Sequence, residues 1–104
     1  MNNVQKESSF LKFILQSDRK QGKLLLGSLN NLQAKAVVEI VYNLLNLPIP
    51  SKDKKIVEKH RSLLKKISNS KKTISEKKKI IAKNNLIIFK LLHKFSNIIQ
   101  EILK

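Results

Sequence analysis

Residues 30–50 have the sequence NNLQAKAVVEIVYNLLNLPIP, which predicts an amphipathic α-helix more clearly than any other stretch of the first half of the chain. Asn30 and Gln33 have the spacing of a capping box at its start. Apolar residues then recur at steps of three and four and form one wide face: Leu32, Ala36, Val37, Ile40, Val41, Leu44 and Leu45. Pro48 and Pro50 end the helix, because a proline disfavours the helical conformation in the residue before it.

The helical period continues on both sides of this stretch. Residues 8–17 and 19–29 predict two short helices, the second interrupted near Gly27. On the C-terminal side, Ser51 is expected to cap a fourth helix, with the negative charge of Asp53 favourably placed in its first turn. Strand-like alternation is absent and glycine and proline are scarce, which favours helices throughout.

Two further helices complete the prediction. After a polar break at residues 68–73, Thr73 and Glu76 have capping-box spacing for a fifth helix. The pair Asn84 and Asn85 is expected to end this helix through a left-handed residue, before a sixth helix over residues 86–104. The sequence thus predicts an all-α fold, a compact bundle of five or six short helices. We expect a single domain over residues 1–104, with mostly apolar helices in 1–51, a basic helix–turn–helix in 52–83 and an amphipathic helix in 86–104.

The composition argues against several classes of protein and site. Among 104 residues there is no cysteine, which excludes a disulfide scaffold, a thiolate metal site and a cysteine nucleophile. Two glycines cannot form a phosphate-binding loop, and His60 and His93 alone cannot form a zinc site. We therefore expect no enzyme, no catalytic residue, no metal and no cofactor. No stretch approaches the ~18–20 apolar residues of a membrane span, and no signal peptide is evident, so the protein is expected to be neither membrane-spanning nor secreted.

Positive charge is concentrated in the second half of the chain. There are 22 basic and 7 acidic residues in all, and residues 52–83 hold thirteen of the basic ones against three acidic ones. The thirteen are Lys52, Lys54, Lys55, Lys59, Arg61, Lys65, Lys66, Lys71, Lys72, Lys77, Lys78, Lys79 and Lys83. Lysines contact phosphates as point charges and release counterions, so this window predicts binding to double-stranded DNA. Only Arg19 and Arg61 are arginines, the side chain that best recognises guanine, which favours sequence-independent binding.

Other interpretations of these features are open. The lysines can form a solvated face that serves solubility, and the A/T-rich codons of Lys, Asn and Ile can raise the lysine content, although they do not explain the shortage of Asp and Glu. Tyr42 and the four phenylalanines fall mainly on apolar faces, so no platform for stacking single-stranded bases is expected. The apolar stripe of residues 86–104 is most simply core. It can also be the seam of a homodimer, or a face for an anionic membrane or a capsid protein.

Two segments resemble a known type of protein. Residues 37–66, VVEIVYNLLNLPIPSKDKKIVEKHRSLLKK, and residues 74–85, ISEKKKIIAKNN, resemble the short lysine-rich proteins of Polinton/Maverick mobile elements and the related adintoviruses. The matching positions are Asn43-Leu44-Leu45, Ile49-Pro50, Lys59-His60-Arg61 and residues 75–81, whereas Leu47 and Asn84-Asn85 stand where the family has glycines. The resemblance implies a viral or mobile-element origin, but no established activity.

Together these features predict a small, basic, virion-associated or core-like protein that binds double-stranded DNA without reading its sequence. We expect it in the virion and in the host nucleus or cytoplasm. A second hypothesis is a capsid accessory or membrane-active protein that uses the C-terminal helix and the lysines on anionic lipid or on an acidic capsid lining. A third is a DNA-binding transcriptional regulator whose fourth helix enters the major groove.

Overall fold

The computed structural model describes residues 2–103, and they form an all-α protein in which no strand occurs. The helices are α1 (Asn2–Lys6), α2 (Ser8–Gln16), α3 (Arg19–Leu26), α4 (Asn31–Asn46), α5 (Ser51–Lys59), α6 (Arg61–Ser68), α7 (Ile74–Lys83), α8 (Asn85–Lys94) and α9 (Ser96–Ile102). They pack into a compact globule of 33 × 29 × 27 Å. Lys104, the last residue of the predicted sixth helix, lies outside the described residues.

Within residues 2–103 there are nine helices, so the expected number of five or six was wrong. The difference has two causes: α1 was not predicted, and single residues divide the predicted fourth and sixth helices. The dividing residues are His60 and Phe95. They share φ between −113° and −103° and ψ between 15° and 31° with Glu7 and Asn84, which also lie between two helices. The predicted fourth helix therefore consists of α5 and α6, and the predicted sixth consists of α8 and α9.

Irregular hydrogen bonds accompany two of these interruptions. The N–H of His60 donates to the carbonyl of Val57, three residues back, at 3.1 Å, which breaks the regular helical ladder. At Asn84 the side-chain Nδ2 donates to the carbonyl of Ile80 at 2.9 Å. The predicted break at Asn84-Asn85 is confirmed, since α7 ends at Lys83 and α8 begins at Asn85. No residue in the described chain has a positive φ, so the left-handed conformation expected there was wrong. The chain bends at Asn84 and the next helix begins directly.

Of the three N-terminal helix caps predicted from the sequence, at Asn30, Ser51 and Thr73, two are correct. Asn30 accepts a hydrogen bond from the Gln33 N–H at 2.8 Å, and Gln33 accepts one from the Asn30 N–H at 3.0 Å, which confirms the first capping box. The second box, at Thr73, is confirmed in the same way. Ser51 is not the cap of α5. Pro50 occupies that position, and its carbonyl begins the ladder by accepting from the Asp53 N–H at 2.9 Å.

The core is organised around α4, which packs against α1, α6 and α7. Its buried residues are Ala34, Ala36, Val37, Ile40, Val41 and Leu44. This set matches most of the predicted apolar face, but Leu32 is 49% exposed and Leu45 is only half-buried. Because apolar side chains cover much of the circumference of α4, neighbouring helices can dock on several of its sides.

The C-terminal stripe belongs to the core, as the simplest interpretation predicted. Its buried members are Ile88, Leu91, Leu92, Phe95, Ile99 and Leu103. These side chains are therefore unavailable at the surface for a dimer seam or a membrane face, whereas Ile98 and Ile102 of the same stripe are only half-buried. Of the helices formed by residues 2–103, none has the length and apolar character needed to cross a membrane.

Candidate nucleic-acid interface

Most of the basic residues lie on a helical hairpin whose first arm is α5–α6 and whose second arm is α7–α8. The turn between the arms, residues 69–73, is held by Asn69. Its side-chain Oδ1 accepts a hydrogen bond from the Lys71 N–H at 2.9 Å, and its carbonyl accepts one from the Lys72 N–H at 3.1 Å. An asparagine that binds the backbone two residues ahead stabilises a tight turn. The predicted basic helix–turn–helix therefore has a defined turn, although its first helix is divided at His60.

The two arms run antiparallel and share a groove. Near the turn, Lys66 of the first arm and Ile80 of the second line the same hollow, of about 460 Å³. Farther from the turn, Ile56 and Leu91 line an adjoining hollow of about 420 Å³. The early residues of one arm thus face the late residues of the other.

The inner side of the hairpin fixes the outward direction of its lysines. Val57, Leu64, Ile67 and Ile81 are buried, and both α6 and α7 pack against α4. Burying these side chains removes apolar area from water, at about 25 cal/mol per Å². Since lysine side chains are costly to bury, the remaining positions of the arms place them toward solvent.

Five lysines border the groove between the arms, which we call the lysine groove. Lys59 and Lys66 border it on the first arm, and Lys83, Lys90 and Lys94 border it on the second. All five are exposed. Its floor is apolar and consists of Ile56, Leu63, Ile80, Ile87 and Leu91, with His60 at the centre. Lys90 and Lys94 were missed by the sequence-based prediction, although their spacing from Lys83 and Ile87 is helical and identifies a common face.

Other residues of the predicted window lie away from the lysine groove. Lys54 and Arg61 line a separate cleft beside Leu47. The Arg61 guanidinium forms an ion pair with Glu58 at 2.9 Å. Arg61 is therefore partly neutralised, and the cleft has less free positive charge than the groove.

Three lysines in α7 or in the turn before it lie near polar side chains of other residues. Lys78 Nζ donates to Asn31 Oδ1, at the start of α4, at 3.1 Å. Lys72 and Lys79 lie near Glu76, the one carboxylate of this helix. The pKa of Glu76 is lowered from its ordinary value of 4.5, chiefly because the carboxylate accepts a hydrogen bond from the Thr73 N–H. The Thr73 hydroxyl and the two lysines lower this pKa further.

The remaining predicted residues have exposed or half-buried side chains. Lys52, Lys55, Lys65 and Lys71 are exposed, and Lys77 is half-buried. The thirteen predicted residues consequently occupy several faces of the protein, and only Lys59, Lys66 and Lys83 line the lysine groove.

The aromatic residues are divided between the surface and the core. Tyr42 is 56% exposed and Phe13 is 49% exposed, so the expectation that the aromatic residues fall on apolar faces was wrong for these two. Phe89 and Phe95 are buried as expected. His93 Nε2 donates to the carbonyl of Ile14 at 3.1 Å, a structural link between α8 and α2. Residues 2–103 contain no group of acidic or histidine side chains that fits a metal ion.

Known proteins provide no further guide to this surface. No protein-family model, curated protein or solved structure matches the chain. The function is therefore inferred from the lysines, the lysine groove and the apolar core that positions them.

Proposed function

We propose that this protein is a non-enzymatic, core-like protein that binds double-stranded DNA without sequence preference and compacts it. The observation that supports this most directly is the shortage of counter-charge on the hairpin. Between residues 52 and 83, all of them described, only Arg61 forms an ion pair. The other twelve basic side chains have no salt bridge, and of these Lys72 and Lys79 lie near the carboxylate of Glu76. Most of the twelve are available for phosphates, whereas Lys78 donates a hydrogen bond to Asn31.

The chemistry of the available groups favours phosphate contacts over base recognition. Lysine ammonium groups make compact, non-directional contacts to phosphates, and each contact releases condensed counterions. Arg61, the one arginine on the hairpin, is paired with Glu58. A guanidinium held by a carboxylate is poorly placed for two hydrogen bonds to a guanine. Sequence-independent binding follows from this combination.

The distribution of the lysines supports compaction rather than a single binding footprint. Lys59 and Lys66 border the lysine groove, Lys54 lines the cleft on another side, and Lys78 lies near the start of α4. A protein with lysines on several faces can contact two DNA segments at once. Bridging of this kind brings duplexes together, as a protein that packages a genome must do.

The resemblance to proteins of Polinton/Maverick elements and adintoviruses provides the biological setting of the proposal. A genome enclosed in a particle needs positive charge to offset its phosphates, and a small lysine-rich protein supplies this charge. We place the protein in the virion and in the host compartment where particles assemble.

A mobility-shift titration tests the proposal. We expect micromolar protein to shift unrelated duplexes equally, and the affinity to fall steeply between about 50 and 200 mM salt. Light scattering should show that the protein joins duplexes into larger particles. Failure to shift any duplex at the lower salt concentration would exclude the proposal, and a strong preference for one sequence over its scrambled form would favour a regulator.

A further inference from the structure

We propose that the lysine groove is also a docking site for a protein partner, and that it binds an acidic amphipathic helix. The groove is continuous, because its two hollows share Lys59, His60 and Ile87. From Ile56 to Lys66 it follows eleven residues of the first arm, and the ten steps between them span about 15 Å at 1.5 Å per step. That length accommodates about three turns of a docked helix.

The floor of the groove is complementary to an apolar ligand surface. Leu63, Ile80 and Ile87 are half-buried, so each still has apolar area in contact with water. A ligand that covers this area gains the free energy of removing it from water. An amphipathic helix presents such a surface as a ridge of residues at i, i+3, i+4 and i+7, which is the usual form of helix-in-groove recognition.

The rims of the groove determine the charge of the partner. Lys59 and Lys66 on one side face Lys83, Lys90 and Lys94 on the other, and none of the groove's lining residues, all of them described, is acidic. Glutamates on both flanks of the docked helix would lie against these ammonium groups. A second copy of this chain is excluded as the occupant for the same reason, since it would bring a net charge of +15 to a positive groove.

The shape of the groove distinguishes a helix from the other anionic partners. A DNA duplex is too wide to enter the groove and presents phosphates rather than apolar groups, so it can contact only the rim lysines. A bilayer surface is flat and cannot reach side chains that lie behind two rows of lysines. Only a narrow ligand with an apolar ridge and acidic flanks contacts both the floor and the rims.

The test uses the full-length protein and a labelled peptide of defined sequence pattern. The peptide has about 14 residues, with leucines at i, i+3, i+4 and i+7 and glutamates at the flanking positions. A scrambled peptide of the same composition is the reference. We expect fluorescence anisotropy to show at least about tenfold tighter binding of the amphipathic peptide than of the scrambled one.

A blocking variant locates the binding site without changing any lysine. Ser62 is exposed and lines the groove, so Ser62→Trp places a large ring over the floor. Ser70→Trp adds the same ring in the turn, outside the groove, and is the matched control. We expect Ser62→Trp to weaken peptide binding by about tenfold or more, and Ser70→Trp to leave it unchanged. Duplex DNA binding should be the same in both variants because their charges are equal.

A second pair of variants keeps the test decisive if Ser62→Trp does not fold. Lys90 and Lys94 are exposed rim residues, and Lys6 and Lys12 are exposed residues outside the groove. Replacing the first pair with glutamine should weaken peptide binding more than replacing the second pair. The proposal is overturned if the scrambled peptide binds equally well, or if neither groove variant differs from its control. It is also overturned if the groove variants affect binding only to phosphatidylglycerol vesicles, which would make the membrane the occupant.

Discussion

Gly22 of α3 lies directly against the ring of Phe89 in α8, and no space remains between them for a side chain. A methyl group on Gly22 would overlap Cδ1 and Cε1 of this ring, and the ring itself is buried. Gly22→Ala should therefore lower the stability of the protein. Overpacking costs about 1–3 kcal/mol, which outweighs the gain of up to about 1 kcal/mol from a better helix former. Urea unfolding monitored by circular dichroism measures the difference.

Gly27 provides the matched control for this substitution. It ends α3 with φ of −82°, and it is exposed. A methyl group there would meet the Lys23 carbonyl oxygen at 3.4 Å, an ordinary contact. Gly27→Ala should leave the stability unchanged or raise it by a few tenths of a kcal/mol, up to about 1 kcal/mol. Equal stabilities of the two alanine variants would contradict the close approach of α3 to α8.

The capping box at the start of α7 makes the stability of the protein depend on pH. The folded state lowers the pKa of Glu76, chiefly through the hydrogen bond from the Thr73 N–H. The contribution of this carboxylate is therefore fully present above its unfolded pKa of 4.5, and is lost as the pH falls through the lower folded value. Glu76→Gln should flatten the dependence of the melting temperature on pH below 4.5.

Thr73 contributes to the same box without carrying a charge of its own. Thr73→Ala removes the hydroxyl that accepts from the Glu76 N–H at 3.2 Å, and should cost about 1 kcal/mol at neutral pH. Serine at this position should restore most of the stability, because its hydroxyl can accept the same hydrogen bond. A neutral effect of Thr73→Ala on the melting temperature would contradict the role given to this cap.

The position of a lysine, and not only the net charge, should determine DNA binding. Lys55, Lys59 and Lys66 are exposed residues of the first arm, whereas Lys6, Lys12 and Lys20 are exposed residues of the N-terminal helices. Replacing the first three with glutamine should reduce the salt dependence of binding by about 0.9 for each phosphate that is no longer neutralised. Replacing the second three makes the same change in net charge and should have a smaller effect. Equal effects of the two triple substitutions in mobility-shift titrations at several salt concentrations would indicate that net charge alone is responsible.

The basic segment of residues 51–83 should not fold when it is removed from the rest of the chain. Its helices α5, α6 and α7 have 9, 8 and 10 residues, and isolated helices shorter than ~12–15 residues are marginal in water. In the intact protein, Leu64, Ile67 and Ile81 are buried in the core that α4 organises. A synthetic peptide of residues 51–83 should show far less helix by circular dichroism than the same residues in the protein. A helical spectrum for the peptide would contradict the dependence on α4.

Local features of the fold could be predicted from the sequence because their causes lie within a few residues. The helix starts at Asn30 and Thr73 depend on a side chain three positions away, and the apolar face of α4 depends on a period of three to four residues. The interruption at His60 could not be predicted in this way, because no proline or glycine marks it. At Asn84 the sequence predicted the position of the break but not its conformation, because the asparagine rule requires a left-handed residue that the described chain does not adopt.

The candidate site was predictable in composition but not in arrangement. The excess of lysine over acidic residues in 52–83 is visible in the sequence. The position of Lys59 opposite Lys83, on the other side of the groove, depends on how the two arms pack together. Lys90 and Lys94 were missed because they belong to a segment whose apolar residues dominated its interpretation. Tyr42 was assigned to an apolar face, yet it is 56% exposed.

The crowding of lysines on the hairpin has a consequence for the folding equilibrium itself. Like charges held close together repel one another, so the folded chain is destabilised by its own excess of positive charge. Added salt screens this repulsion and should raise the melting temperature, while it weakens the attraction to DNA. Any polyanion that binds the native form stabilises it by mass action. Salt should therefore act in opposite directions on the stability of the free protein and on the proposed DNA complex, in which the DNA would act as a stabilising ligand.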